Sequence, residues 1–353
     1  MPHLTIATHA SAAPMGQQVY EEELAHRAQS ALGADAVVTR VIARSLRSDL
    51  AGNTRLPEGV LRTAPAVVRR AVGAAVYPRA DVVHRMSLAL PPARVPEILT
   101  LHDTVSWRFP DESPPEPHAV REARGATAVI APSQFSADDV GELFGLDHVH
   151  AIPNGVDPRF LDAPPLDAAA LQALGVTGRY VLHAGGSTLR KNLEGLAVAW
   201  PLVRSACPDV TLVLSGPPSR RRHALFAHLP GTVLVGRVPA VDVPGLIAGA
   251  EAVVVPSVHE GFGLPALEAM AAGVVVVAAD RSSLPEVCGG SSILVEPDGP
   301  AIADGLVHAL GGGGEIDRLT AAGRARAEQF TWEASAREHA EVWRRVLAAT
   351  NQP

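Results

Sequence analysis

Val253-Val-Val-Pro-Ser-Val-His-Glu260-Gly-Phe-Gly-Leu-Pro-Ala-Leu-Glu268-Ala-Met270 reads as a strand, a glycine turn and the start of a helix, with Pro265 near the first helical turn. Glycines at positions 261 and 263 let backbone N–H groups approach an anion, and the helix N-terminus adds partial positive charge. A phosphate fits such a cradle. Two carboxylates flank it: Glu260 precedes the turn and Glu268 lies about one turn inside the helix. Like charge keeps both off a phosphate, so they read as acceptors for hydroxyl groups on either side of a diphosphate, a sugar at Glu260 and a ribose at Glu268.

The same residues support a rival reading. Gly261-x-Gly263-x-x-Ala266 matches the relaxed dinucleotide fingerprint, and Asp280 follows a valine-rich strand where a ribose-binding acid belongs. The alternative is therefore an NAD(P)-dependent oxidoreductase. That fingerprint normally opens the first strand-helix unit of its domain, however, and here three strand candidates precede it in the second half of the chain. It also gives Lys191 no task.

Lys191 is the single lysine among 30 basic residues, the other 29 being arginine. An exception of this kind marks a place suited to a compact ammonium. Strand Val181-Leu-His183 runs into Ala184-Gly185-Gly-Ser-Thr-Leu-Arg190-Lys191-Asn192, which puts Arg190 and Lys191 after the first strand of the second half, on the same sheet edge as the Glu260 loop. Two adjacent cations there neutralise a diphosphate and stabilise it as a leaving group. Without an anion they sit badly beside the positive end of the following helix.

Working outward, apolar runs alternate with amphipathic stretches, as repeated β-α units require. Strand candidates in the first half are Leu4 to Thr8, Ala36 to Ile42, Asp81 to His84, Glu97 to Leu101, Thr127 to Ala131 and Val149 to Ile152. After a proline-rich stretch, Asp157 to Pro165, a second set runs Tyr180 to His183, Val210 to Ser215, Thr232 to Val235, Ala252 to Val255, Val274 to Ala278 and Ile293 to Val295. Several are Val/Ile/Leu runs without alternation, the mark of parallel strands buried on both faces. The expected class is α/β with two doubly wound, Rossmann-like domains, residues 1–160 and 161–330, whose strands end at a shared cleft. A last helix, about Thr331 to Ala348, carries Trp332, Val342, Trp343 and Val346 behind a Thr331 cap.

Composition narrows the function classes. With 353 residues, 47% hydrophobic and 19% charged, the chain is a folded protein large enough for two cores. A net charge of -7 and the lack of a long basic block speak against nucleic acid. No apolar run reaches a membrane-spanning length and no secretion signal opens the chain, which predicts a cytoplasmic protein. Cys207 and Cys288 read as free thiols. No Gly-x-Ser-x-Gly elbow is present, and the only lysine is followed by Asn, which excludes a nucleotide P-loop.

Glu260-(x7)-Glu268 inside His-Glu-Gly-Phe-Gly-Leu-Pro-Ala-Leu-Glu-Ala-Met, with Gly185...Arg190-Lys191-Asn192 and Ile152-Pro-Asn-Gly-Val-Asp157, resembles the family-4 retaining glycosyltransferases of GT-B fold. His102-Asp103 and Ala131-Pro-Ser-Gln-Phe-Ser136 further resemble its mannosyltransferase-like branch. The resemblance implies an N-terminal acceptor domain and a C-terminal nucleotide-sugar domain, with the last helix, 331–353, crossing back to the first. By it, Arg190 and Lys191 hold the donor diphosphate, helped by backbone N–H groups near Gly263 and Leu264 in the Gly261-Phe262-Gly263-Leu264 turn. Glu268 takes the ribose hydroxyls, Glu260 the hexose, and the Gly236-Arg-Val238 loop the nucleobase. His102 faces the sugar from the first domain, where Gly16 belongs to the loop Met15-Gly16-Gln17. Family members often carry a double glycine in that first loop and an arginine six residues before the lysine. Here the lysine is preceded at that distance by Gly185, leaving Arg190 as its cationic partner.

What the resemblance implies is metal-independent hexose transfer, from GDP-mannose as the donor expected of that branch, to a hydroxyl of a glycan, a lipid-linked glycan or a small glycoside. A module that binds sugar nucleotides without transferring them is the non-enzymatic alternative. Outside these motifs, His148-Val-His150 pairs two imidazoles with no third metal ligand in view. Arg220-Arg-Arg222 reads as a solvated loop. Arg62, Arg69 and Arg70 within Leu61 to Val76 read as an ordinary surface helix, with peripheral membrane contact as the alternative.

Overall fold

The computed structural model describes residues 1–11 and 16–350. The chain divides into two compact units, Met1–Gly155 together with Thr331–Pro353, and Val156–Phe330.

In the first unit, β1 (His3–His9), β2 (Val37–Ser45), β3 (Thr54–Leu56), β4 (Val82–Arg85), β5 (Glu97–Thr100), β6 (Ala128–Ala131) and β7 (His150–Ala151) form a sheet ordered β3-β2-β1-β4-β5-β6-β7. Every pairing in it is parallel. Successive side chains go to opposite faces. Ile6, Val82 and Ile98 meet the helices Gly16–Leu32 and Trp332–Thr350, whereas Ala7 and Val83 join a cluster with Leu61, Tyr77 and Leu90 on the other side. The last helix is part of this unit's core. Thr331 Oγ1 caps it by accepting from Ala334 N at 3.0 Å, and Trp332 and Trp343 are fully buried.

The second unit repeats the plan. β8 (Tyr180–Ala184), β9 (Thr211–Ser215), β10 (Thr232–Gly236), β11 (Ala252–Val255), β12 (Val276–Ala279) and β13 (Ile293–Val295) make a parallel sheet ordered β10-β9-β8-β11-β12-β13. Leu182, Val213, Val253 and Val276 pack into one core, and Val181, Leu212, Val254 and Val277 into another on the opposite face. Burial on both faces explains the unbroken apolar runs.

Each sheet changes direction once. From β1 the chain moves outward through β2 and β3 and then returns to the other side at β4; from β8 it moves through β9 and β10 and returns at β11. At such a switch point two adjacent strands send their following loops apart and leave a crevice beyond their carboxyl ends.

All twelve strand candidates are present, and the sequence reading missed only the three-residue edge strand β3. The expected helix over Leu61 to Val76 is two helices, Glu58–Thr63 and Ala66–Val76. Pro65 causes the break: it forces Ala64 into extended backbone, with ψ 147°. Arg69 is not on a surface face but fully buried. Gly311 ends one helix and Gly314 starts the next, with Gly312 and Gly313 as the connection between them. Among the described residues no helix is long and apolar enough to cross a membrane.

Candidate functional site

In the second unit, the Gly185 loop follows β8 and the Glu260 loop follows β11, so both motifs sit at the switch point. A short 3-10 turn, Leu189–Lys191, carries the two cations. Asn192 ends it in the left-handed region, φ 51°, and its side chain accepts from Gly195 N and donates to Pro256 O at 3.1 Å and Pro297 O at 2.8 Å. Arg190 O accepts from Val258 N at 2.8 Å, which joins the turn to the β11 loop.

The charges converge. Lys191 Nζ stands 2.5 Å from Glu260 Oε1, and Arg190 Nη1 donates to Glu260 Oε2 at 2.9 Å and to His259 O at 3.2 Å. Lys191 is 8% exposed and Glu260 6%. Burial works to raise the Glu260 carboxyl, but Lys191 and then Arg190 outweigh it and hold it down at about 2. Lys191 and Arg190 thus share the Glu260 carboxylate in a largely buried crevice, where Coulomb interactions are poorly screened. A Cβ on Gly185 would lie 3.9 Å from Lys191 Nζ, so the glycine loop passes directly over the ammonium.

The Gly261–Leu264 turn is held from behind. Ser282 Oγ accepts from Glu260 N at 2.9 Å, and Ser283 Oγ donates to Glu260 O and Phe262 O at 2.9 and 2.8 Å. Gly263 adopts φ 105°, and a Cβ there would stand 2.8 Å from Leu284 Cδ2, so both conformation and space require glycine. The helix Leu264–Ala271 then starts with its unpaired N–H end toward the turn.

Glu268, on that helix, has the opposite environment from Glu260. Burial pushes its carboxyl up to about 8, Asp157 adds to the rise, and Arg159 opposes it. Val238, after edge strand β10, is half-buried against the unit's core. The structure thus brings together Gly185, Arg190, Lys191, Glu260, Gly261, Phe262, Gly263 and Leu264, with Glu268 a turn further on and Val238 beyond the sheet edge. Gly16 and His102 belong to the first unit; Gly16 opens a helix, and its neighbour Met15 lies outside the described residues.

Three residues of this site escaped the sequence reading. Arg222 is not in a solvated loop: it is 2% exposed and donates to Gly185 O at 2.5 Å, Gly186 O at 3.0 Å and Pro217 O at 3.1 Å, pinning the glycine loop. His183, the polar end of an otherwise apolar strand, is buried beneath that loop; burial, then Arg222 and Lys191, lower it to about 3, so its imidazole is neutral. Ser283, fully buried, carried no sequence signal.

In the first unit His102 follows β5, half-buried, with Nε2 unpartnered among the described residues. Tyr20 stands edge-on to it, ring centroids 4.8 Å apart. A hydrogen-bonded chain runs behind Tyr20, and its two ends fix its direction, because an indole only donates and a carbonyl only accepts. Trp343 Nε1 donates to His84 Nδ1 (3.1 Å), His84 Nε2 to Thr100 Oγ1 (2.8 Å), Thr100 to Tyr20 Oη (3.0 Å), Tyr20 to His339 Nε2 (2.7 Å), and His339 Nδ1 to Ser335 O (2.7 Å). His84 accepts at Nδ1 and is therefore neutral, and burial keeps His339 neutral in the same arrangement.

This chain makes the first unit acid-sensitive. Burial, then His339, lowers His102 to about 4; burial lowers His339 to about 4; and burial, then His339 and His102, holds His84 well below its ordinary value. Unfolded histidine titrates near 6.5. Above that pH neither state binds these protons, and as pH falls from about 6.5 toward 4 the unfolded chain takes them up while the folded one refuses, so stability drops by up to about 1.4 kcal/mol per pH unit for each histidine. Urea unfolding followed by tryptophan fluorescence should show this fall between roughly pH 7.5 and 5; a flat profile contradicts it.

Among the described residues no group of three His, Cys, Asp or Glu side chains is placed to hold a metal, and His148 Nε2 lies 3.2 Å from His150 Nδ1. The dinucleotide reading is corrected by topology: its glycine turn follows the fourth strand of its unit, not the first, and the first strand leads into the Arg190-Lys191 loop.

Comparison with known proteins agrees with this geometry. Residues 178–311 match the family model "Glycosyl transferases group 1" and residues 16–160 the model "Glycosyltransferase Family 4". The O-antigen chain mannosyltransferase B of Escherichia coli is 30% identical over 273 residues, 71% of either chain. The D-inositol 3-phosphate glycosyltransferase of Jonesia denitrificans is 32% identical over 289 residues, covering 73% of this chain and 68% of that protein. The solved sucrose-phosphate synthase from Thermosynechococcus elongatus superposes with a TM-score of 0.77 over 99% of this chain and 100% of its own, at 21% identity, a likeness of fold. With its GT-B pair of doubly wound units and these matches across both, the chain belongs to the family-4, group-1 glycosyltransferases.

Proposed function

We propose that the protein transfers mannose from GDP-mannose to a hydroxyl of a glycan, a lipid-linked glycan or a small glycoside, with retention at the anomeric carbon and without a metal. The observation that carries the reading is the convergence of Lys191, Arg190 and Glu260 at the switch point of the second unit. In it, Lys191 and Arg190 take the diphosphate, whose charge grows as the anomeric C–O bond breaks, and the N–H groups at Gly263 and Leu264 share that load. Glu260, held ionised by the same two cations, faces the hexose hydroxyls. Glu268 meets the ribose and Val238 the base. Gly16 and neutral His102 serve the sugar or acceptor from the first unit.

The acceptor oxygen attacks the anomeric carbon from the face the leaving group vacates, and its proton passes to the departing diphosphate. No protein nucleophile is required. Mannose is favoured by the name of the Escherichia coli relative. A thermal-shift screen of nucleotide sugars tests the donor, with GDP-mannose expected to stabilise most and a preference for UDP over GDP overturning the assignment. Transfer is expected to persist after chelation, and its loss would remove the metal-free path. Hydrolysis of the donor without acceptor separates an enzyme from a binding module.

Glu268 and Glu260 give a contrasting pair. Since Glu268 is held protonated near neutral pH, Glu268→Gln should keep nucleoside-diphosphate affinity within about threefold, whereas Glu268→Ala, which removes the hydrogen-bonding group, should lose roughly tenfold. Calorimetric titration checks this, and equal losses in the two variants would contradict a neutral carboxyl.

A further inference from the structure

The first unit holds a cavity of about 470 Å³ between the helix Ala66–Val76, the segment leading into β5 and the helix Ala119–Gly125. Glu97, at the amino end of β5, lines it, whereas His102 follows the carboxyl end of the same strand, so the two lie at opposite edges of the sheet. Its floor includes the buried carboxylates of Glu97 and Glu122, and both are already neutralised. Arg69 Nε donates to Glu122 Oε1 at 2.9 Å, Arg85 Nη1 donates to Glu122 Oε2 at 2.8 Å, and Arg85 Nε pairs with Glu97. Arg85 Nη2 remains buried and unpartnered among the described residues.

The rim is different. Arg70, Arg94 and Arg121 line the same cavity, all are exposed, and among the described residues no carboxylate ion pair is found for any of them; Arg121 Nη2 donates to His118 Nδ1 at 2.7 Å. Three guanidinium groups therefore face one concave space above a floor of zero net charge. Guanidinium forks match the oxygens of a phosphate group two at a time, and a concave site concentrates their field. The wall is firm: the helix lies so close to Pro92 that a Cβ on Gly73 would stand 2.0 Å from Pro92 O.

We propose that this cavity is a second, anion-recognising site that binds a phosphate group, separate from the loops that serve the donor. The phosphate belongs either to a free phosphorylated compound or to a lipid headgroup, and the same helix offers Val67 and Val68, 73% and 44% exposed, beside Arg70.

Calorimetric titration of the full chain with inorganic phosphate and with dihexanoyl phosphatidic acid tests the site, with cosedimentation on phosphatidylcholine vesicles with and without phosphatidic acid. With GDP saturating the donor loops, the triple variant Arg70→Ser/Arg94→Ser/Arg121→Ser should bind at least about tenfold more weakly than the parent. Similar affinity for both small probes identifies a free phosphate compound; tighter binding of the lipid together with vesicle recruitment identifies a headgroup. No binding by the parent or undiminished binding by the triple variant overturns the proposal. The substituted side chains are exposed, and an unchanged melting curve with unchanged donor hydrolysis verifies that the fold and the donor site are intact.

Discussion

Lys191→Ala should lower kcat/KM for sugar transfer roughly a hundredfold, the effect of removing about 3 kcal/mol of leaving-group stabilisation from a preorganised site. The ammonium is 8% exposed and shares one carboxylate with Arg190. Deleting it leaves Glu260 paired with Arg190, so no carboxylate is orphaned and the fold should survive. The loss then falls on chemistry. Lys191→Arg should not rescue fully, since a planar fork does not fit where a compact group sits 2.5 Å from Glu260 beneath the glycine loop. Steady-state kinetics with matched melting curves checks both variants, and near-normal turnover in Lys191→Ala contradicts the role.

Trp343→Ala should cost the first unit about 4 kcal/mol, as expected when a fully buried aromatic is truncated in a packed core. Its indole also begins the directed hydrogen-bond chain, and losing it leaves His84 Nδ1 without a donor. Trp343→Phe keeps most of the volume and loses the N–H, so it should cost roughly 1 to 2 kcal/mol. Urea unfolding separates the two, and a Trp343→Ala midpoint close to the parent's would show that the last helix is not anchored through this residue.

The parts of the fold legible in sequence were those governed by burial on two faces. Val253–Val255 and Val276–Val277 can only be interior parallel strands, and such runs announce themselves without neighbours. β3 stayed hidden because three residues around Arg55 carry no periodicity. The break at Pro65 is legible in sequence, because a proline disfavours helix at the residue before it. At the site, motifs with glycine and paired charge were visible because their spacing encodes a backbone path. Arg222, His183 and Ser283 were not, because their importance arises from where the loops of distant strands meet: Arg222 reads as one of three adjacent arginines until its contacts with Gly185 and Gly186 are seen. Arg69 is the same case, a surface-like arginine turned inward by Glu122.

Electrostatics adds what spacing alone left open. Glu260 and Glu268 look alike in sequence, but one is driven to about 2 and the other to about 8 by their surroundings. That divergence assigns a charged acceptor to one position and a neutral carboxyl to the other.

The most direct measurement is a crystal structure of the protein with a nucleoside diphosphate bound. The account predicts phosphate oxygens within hydrogen-bonding distance of Lys191 Nζ, Arg190 and the N–H groups at Gly263 and Leu264. A diphosphate seated away from all four contradicts it.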